Sequence, residues 1–171
     1  IVLPHNVDFI NYFEECDIEG IILTGGNDLS SQNNNNLSKK RDLFEKKLLS
    51  YAIKKHIPIL GICRGMQVIG EYFGASIKKV DKQVNIRHSL KVNQSSQYSK
   101  ILNTFETVNS FHNYIVDNIP KELLISATNE QGLIKAFEHK SYKIFAHMWH
   151  SEREIPFIKE DIELMKEILN D

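Results

Sequence analysis

Pro58-Ile-Leu-Gly-Ile-Cys-Arg-Gly-Met-Gln67 is the stretch on which the reading of this chain turns. Ile57, Ile59, Leu60 and Ile62 form a short, nearly continuous apolar run, the pattern of a parallel strand covered on both faces. From Met66 the pattern changes: Val68, Ile69, Tyr72 and Phe73 fall at helical spacing, and Gly74 supplies a C-terminal stop. Cys63 therefore sits at a strand-to-helix turn, with Gly61 two residues before it and Gly65 two after. That is the nucleophile-elbow pattern with sulfur in place of a serine oxygen. A helix starting just after Cys63 brings its positive dipole end to the sulfur and favours thiolate over thiol. A small, buried core cysteine satisfies the same pattern, so the segment alone leaves both readings open.

The 171 residues leave room for one domain with a sizeable core. A formal net charge of -1 gives no electrostatic footprint for nucleic acid or an anionic membrane. No apolar run approaches the length of a membrane span. Cys16 and Cys63 are the only cysteines, and no C-x-x-C pair occurs. Neither a disulfide framework nor a zinc ribbon is indicated, and a reducing cytoplasm fits best. Because the chain opens at Ile1-Val-Leu-Pro4 without a methionine, the lack of a visible targeting segment carries little weight.

Ile1 to Leu3 reads as the end of a strand entering a loop at Pro4-His5-Asn6, followed by a short helix with Phe9, Ile10 and Phe13 on one face and Cys16 packing near its end. Ile18, Ile21, Ile22 and Leu23 predict a second buried strand ending in Gly25-Gly26-Asn27-Asp28. Two glycines at the carboxyl end of a parallel strand let backbone N–H groups face a ligand crevice, although for this segment taken alone a plain turn is the favoured reading. Ser30 to Ser38 reads as a polar loop. Leu37, Phe44, Leu48 and Ala52 then predict a helix whose Lys46, Lys47, Lys54 and Lys55 face solvent. Strand, loop, helix, strand, elbow, helix is the alternation of a parallel α/β sheet.

In the second half, Arg87 to Val92 and Leu123 to Thr128 alternate as strands with one wet face. Asn129 to Gly132 predicts a turn, Gly132 to Phe137 a strand, and Glu138 to Ser141 a second turn. Lys143 to His150 reads as a strand delivering residues to its carboxyl end. Ile158, Ile162, Met165 and Leu169 give a C-terminal amphipathic helix over the sheet.

A cysteine nucleophile needs a base within reach and a group that orients that base. His150-Ser151-Glu152 offers both, since residues two apart on an extended segment point the same way. Glu152 can then hold one imidazole nitrogen while the other faces Cys63, which is triad logic. His147 reads as a surface or otherwise satisfied polar residue. Zinc held by His147, His150 and Cys63 is disfavoured, because two histidines three apart on a strand point to opposite faces.

These pieces coincide with a known pattern. The chain resembles the class I glutamine amidotransferase superfamily, and more closely its γ-glutamyl hydrolase-like branch. Four blocks match in order: Leu23-Thr-Gly-Gly-Asn-Asp28; Arg41-Asp-Leu-Phe-Glu45 leading to Ile57 through Gln67; Val108-Asn-Ser-Phe-His112; and Trp149-His-Ser-Glu152. The Cys63-Arg-Gly-Met-Gln67 form is the specific part. The resemblance implies a flavodoxin-like three-layer α/β/α sandwich with a mostly parallel central sheet.

It further implies Cys63 as nucleophile, His150 as general base and acid, Glu152 as its orienting partner, and an oxyanion hole from the backbone N–H groups of Gly26 and Arg64. Gln67, Asn109, Ser110 and His112 match positions used around the glutamyl substrate, and Arg41 and Arg64 are each suited to a carboxylate. The implied activity is hydrolysis of a γ-glutamyl amide to glutamate and a free amine or amide through a γ-glutamyl thioester. No metal or organic cofactor is called for, because thiolate, imidazole and backbone donors suffice for acyl transfer. One activity within the superfamily releases a cytidine diphosphoramidate from its γ-glutamyl precursor for capsule decoration, and the compact chain is compatible with it. The expected partner is a small-molecule γ-glutamyl substrate. The alternative, a glutaminase subunit feeding ammonia to a synthase, is not favoured. Three departures stand out: Ser151 replaces the usual proline, the loop from Asp28 to Arg41 is short and asparagine-rich, and the domain of residues 1–171 is expected to lack its first strand and helix.

Overall fold

The computed structural model describes residues 2, 3 and 7–170; Ile1 and the predicted loop at residues 4–6 lie outside them. The first half runs α1 (Phe9–Glu15), β1 (Ile21–Leu23), α2 (Ser30–Asn33), α3 (Asn36–Lys55), β2 (Ile59–Ile62) and α4 (Arg64–Phe73). The second adds β3 (Ser76–Lys79), β4 (Val84–His88), β5 (Lys91–Val92), α5 (Ser99–Leu102), β6 (Val108–Phe111), β7 (Tyr114–Asp117), β8 (Leu123–Thr128), β9 (Ile134–His139), β10 (Ile144–His147), a 3-10 turn (Ser151–Arg153) and α6 (Lys159–Leu169).

Among the described residues the main sheet has six strands in the order β1-β2-β10-β9-β8-β5. It is mixed: β1, β2 and β10 are parallel, whereas β9, β8 and β5 join by antiparallel pairings. β2 is buried along its whole length, as its apolar run predicts, and α4 and α6 both pack against it. The architecture is the flavodoxin-like α/β fold, and its parallel part positions the site. Register pairs Leu23 with Gly61 and His147 with Ile62, so three strands end together. The loops beginning at Thr24, Cys63 and Met148 therefore leave one edge side by side, where open α/β sheets hold their ligands.

Several expectations need correcting. β1 is an edge strand, and Ile22 is 43% exposed rather than covered. A groove lined by Ile18, Ile22, Phe44 and Leu48 runs along that edge. The asparagine-rich stretch is not all loop: Asn34 takes a left-handed conformation that ends α2, and the Asn35 side chain accepts from the Leu37 N–H to start α3. On α3 the inward face includes Ser38, Asp42 and Glu45, while Leu37 is exposed; Lys46 keeps its solvent exposure and pairs with Glu71 at 2.6 Å. Ile10 is likewise exposed on α1.

The predicted strand 87–92 is two strands in different sheets, β4 pairing with β6 and β5 with β8. Strand β9 continues to His139, two residues past the predicted Phe137. β10 stops at His147, three residues before the predicted end. Helix α6 turns Asp161, Leu164 and Ile168 inward and leaves Ile162 out, because the indole Nε1 of buried Trp149 and the Ser151 hydroxyl both donate to Asp161 Oδ1 at 2.9 Å.

Candidate active site

Cys63 is the residue between β2 and α4, at φ 51° and ψ -100°. A non-glycine residue at positive φ is strained by about 1–3 kcal/mol, and such strain persists only where neighbours enforce it. Here they do. The Cys63 N–H donates to the His147 carbonyl at 2.7 Å, and its own carbonyl accepts from the Gln67 N–H. Gly65 lets α4 press onto β1: a Cβ at that position would fall 2.1 Å from the Leu23 carbonyl oxygen. Arg64 opens α4, so its N–H has no acceptor within the helix.

His150 stands beyond the end of β10 and is almost fully buried. Its Nδ1 lies 2.5 Å from Glu152 Oε1. The contact arises differently from the expected extended segment: Ser151–Arg153 is a 3-10 turn that folds Glu152 back toward the ring. Ser151, where proline is usual, ties this turn to α6 through Asp161. The imidazole also neighbours Cys63 across Gly25. Burial alone would lower its pKa, but Cys63 and the Glu152 carboxylate beside it hold it up at about 9. Burial raises the Glu152 pKa, but the bond to His150 outweighs it and leaves the carboxyl below its ordinary value. Gly25 completes the approach, because a Cβ there would lie 2.9 Å from His150 Cε1 and 3.9 Å from Cys63 Cβ.

Arg41 fixes the neighbouring turn. Its Nη2 donates to the carbonyls of Thr24 at 2.9 Å and Gly25 at 3.2 Å. The carbonyl and N–H of one trans peptide point in opposite directions, so binding the Gly25 carbonyl on Arg41 turns the Gly26 N–H away from Arg41. The Arg64 side chain does not reach the site. It is fully buried and pairs with Asp42 and Glu45 of α3.

The remaining expected substrate contacts are occupied within the protein. Gln67 Nε2 donates to the Tyr114 carbonyl at 3.1 Å. Ser110 Oγ donates to the Gln83 carbonyl at 2.8 Å. Asn109 clamps the backbone of His150: its Oδ1 accepts from the His150 N–H and its Nδ2 donates to the His150 carbonyl, each at 2.8 Å. Replacing Asn109 with alanine is expected to lower kcat/KM roughly 10- to 100-fold through loss of this alignment; steady-state kinetics beside an unchanged far-ultraviolet circular dichroism spectrum check it. His112 is buried and held down at about 3 by burial first and then by the Lys135 charge, so it is neutral. His147 is buried rather than on the surface, with Nδ1 donating to the Trp149 carbonyl at 2.9 Å. Among the described residues no group of three or more His, Cys, Asp or Glu is arranged to hold a metal.

Sequence reasoning missed Lys135, Gln83 and the Asp42–Glu45 pair. Lys135 had a usable signal: a lysine in the middle of the apolar run Gly132-Leu-Ile-Lys-Ala-Phe137.

An elbow cysteine, a carboxylate-bound histidine and glycine-rich strand ends on this fold define a cysteine hydrolase of the glutamine amidotransferase class. The chain belongs to the Peptidase C26 family, whose model matches residues 1–152. It is 37% identical over 170 residues to the gamma-glutamyl-CDP-amidate hydrolase of Campylobacter jejuni subsp. jejuni serotype O:2, covering 96% of this chain and 79% of that protein. It is also 29% identical over 157 residues to anthranilate synthase component 2 of Saccharolobus solfataricus, covering 89% of this chain and 76% of the relative. The fold matches that of a Thermoplasma acidophilum protein described as one subunit of a GMP synthase, with TM-score 0.76, 23% identity, and coverage of 99% of this chain and 78% of the other. Among the described residues no helix is long and apolar enough to cross a membrane.

Proposed function

We propose that residues 1–171 form one catalytic domain that cleaves the γ-glutamyl–nitrogen bond of a γ-glutamyl-CDP-amidate-type substrate. The Cys63 thiolate attacks the γ-carbonyl carbon. The amide N–H groups of Gly26 and Arg64 receive the developing oxyanion. His150, as imidazolium steered by Glu152, protonates the departing nitrogen as the carbon–nitrogen bond breaks, leaving a γ-glutamyl thioester on Cys63. Neutral His150 then takes a proton from water. The hydroxide adds to the thioester carbonyl, sulfur leaves, and glutamate is released.

The observation that carries this reading is the strained Cys63 backbone beside an imidazole kept protonated by Cys63 and Glu152. The relative named above supports the amidate substrate. The two free cysteines support a reducing, cytoplasmic setting. A second reading, a glutaminase serving a synthase, draws on the likeness to anthranilate synthase component 2.

Acid-quenched mass spectrometry after mixing with γ-glutamyl-CDP-amidate or with glutamine, beside Cys63→Ala, separates the two. A glutamyl adduct on Cys63 from the amidate is expected. An adduct from glutamine alone favours the glutaminase, and no adduct from either, with no product, overturns the mechanism.

A further inference from the structure

Lys135 is 1% exposed on β9, a strand in which every residue is buried. Positions covered on both sides of a sheet ordinarily hold valine, isoleucine or leucine. The ammonium here has His112 Nε2 at 3.1 Å, Gln83 Oε1 at 3.2 Å and Ser110 Oγ at 3.4 Å. None of these is a carboxylate, and no ion pair among the described residues includes Lys135.

The charged and titratable groups facing it are few. Glu130, from the turn before β9, attracts it, yet that side chain is 48% exposed and already engaged by the Ser89 N–H at 2.6 Å and His88 Nδ1 at 3.2 Å. His88 on β4 lies below its ordinary value through burial and the Lys135 charge. His112, between β6 and β7, is neutral for the same two reasons. The remaining group is Cys63, one strand further along the same sheet end: β10 lies between them, its His147 carbonyl accepting from the Cys63 N–H at 2.7 Å and its Met148 N–H donating to the Lys135 carbonyl at 2.9 Å. Lys135 thus brings a positive charge with no carboxylate bonded to it toward the elbow from a water-poor interior, where charge acts strongly over distance.

We infer that the Lys135 ammonium, sealed among three uncharged acceptors beside the elbow, selects substrates whose leaving half carries negative charge next to the scissile nitrogen. This rests on the γ-glutamyl reading above and narrows its amine half. Glutamine releases a neutral group and a polyamine conjugate a cationic one; neither gains from a buried cation. A phosphoryl group bonded to the scissile nitrogen does, and it stays anionic across neutral pH. Lys135 acts through its field on bound substrate and takes no part in bond making.

The test compares kcat/KM for γ-glutamyl-CDP-amidate with that for the neutral γ-glutamyl-p-nitroanilide. In Lys135→Met, of similar length and uncharged, the amidate-to-anilide ratio is expected to fall roughly 10- to 100-fold. Equal slowing of both substrates removes the selective role and leaves the γ-glutamyl reading standing. Turnover of neither substrate by the unmodified protein, with no adduct on Cys63, overturns that reading and this inference together.

Should Lys135→Met not fold, the unmodified protein decides. Burial holds the Lys135 pKa down at about 8, against the attraction of Glu130 and Cys63. The ratio should therefore drop as pH rises through that value. His150 protonates leaving nitrogens that differ between the two substrates and titrates at about 9, so the ratio is read below that value. A ratio that stays flat between about pH 6.5 and about pH 8.5 refutes the inference.

Discussion

Cys63→Ala is expected to lower kcat/KM for γ-glutamyl amides by about ten-thousand-fold or more, with the fold retained. Alanine fits the elbow as cysteine does: it keeps a Cβ at the same positive φ and removes only the sulfur, so strain and packing change little. Loss of the proposed nucleophile would end the covalent route, whereas the backbone N–H groups proposed for the oxyanion, at Gly26 and Arg64, would remain and sustain a residual rate. His150→Ala should cost about as much alone, and the double variant little more, because the two groups act as one unit. Kinetics on the three variants checks this; near-additive losses would mean that the groups work separately. The pH profile follows from the same pair. In the proposed mechanism His150 must hold its proton to release the leaving nitrogen, and its pKa stands at about 9. Activity toward a neutral γ-glutamyl amide should persist through neutral pH and fall as pH rises through that value. Glu152→Gln removes part of what holds the proton on His150, so the falling limb should move to lower pH.

The elbow was legible because each of its parts has a local cause. An apolar run makes a doubly covered strand, a helix pattern starts beside it, and Gly61 and Gly65 permit the close approach between them. The partnership of His150 with Glu152 was legible for a different reason than the one given: the spacing was right, but a 3-10 turn brings the carboxylate to the ring. What stayed hidden depends on contacts between distant segments. Ile22 looks like a core residue until sheet order makes β1 an edge. Ser38, Asp42 and Glu45 look like the wet face of α3 until Arg64, 19 residues beyond Glu45, turns Asp42 and Glu45 inward. Asn109 and Ser110 also hold neighbouring backbone, at His150 and Gln83, a role that residue type alone does not reveal.

Arg64 supplies the largest expected loss of stability. Its guanidinium is 1% exposed and holds Asp42 through Nη2 and Glu45 through Nη1. Asp42 also accepts from the Ser30 N–H at 2.8 Å, and Glu45 keeps Arg41 at 2.8 Å. Arg64→Met would leave the methylene stem packed but strip Asp42 of its cation inside the protein. Breaking a buried pair from one side costs about 3–5 kcal/mol, because the orphaned carboxylate stays desolvated. Urea unfolding at neutral pH reads the loss. Asp42→Asn added to Arg64→Met should recover part of it, since an amide in that place needs no counter-ion, and recovery distinguishes an orphaned charge from lost packing. Activity per folded molecule is a separate matter. The N–H proposed for the oxyanion belongs to the backbone of residue 64, which methionine retains. At low temperature, where the variant is folded, its kcat should stay within about tenfold of the parent; a much larger drop would mean that the side chain, through α3, also sets the position of the elbow.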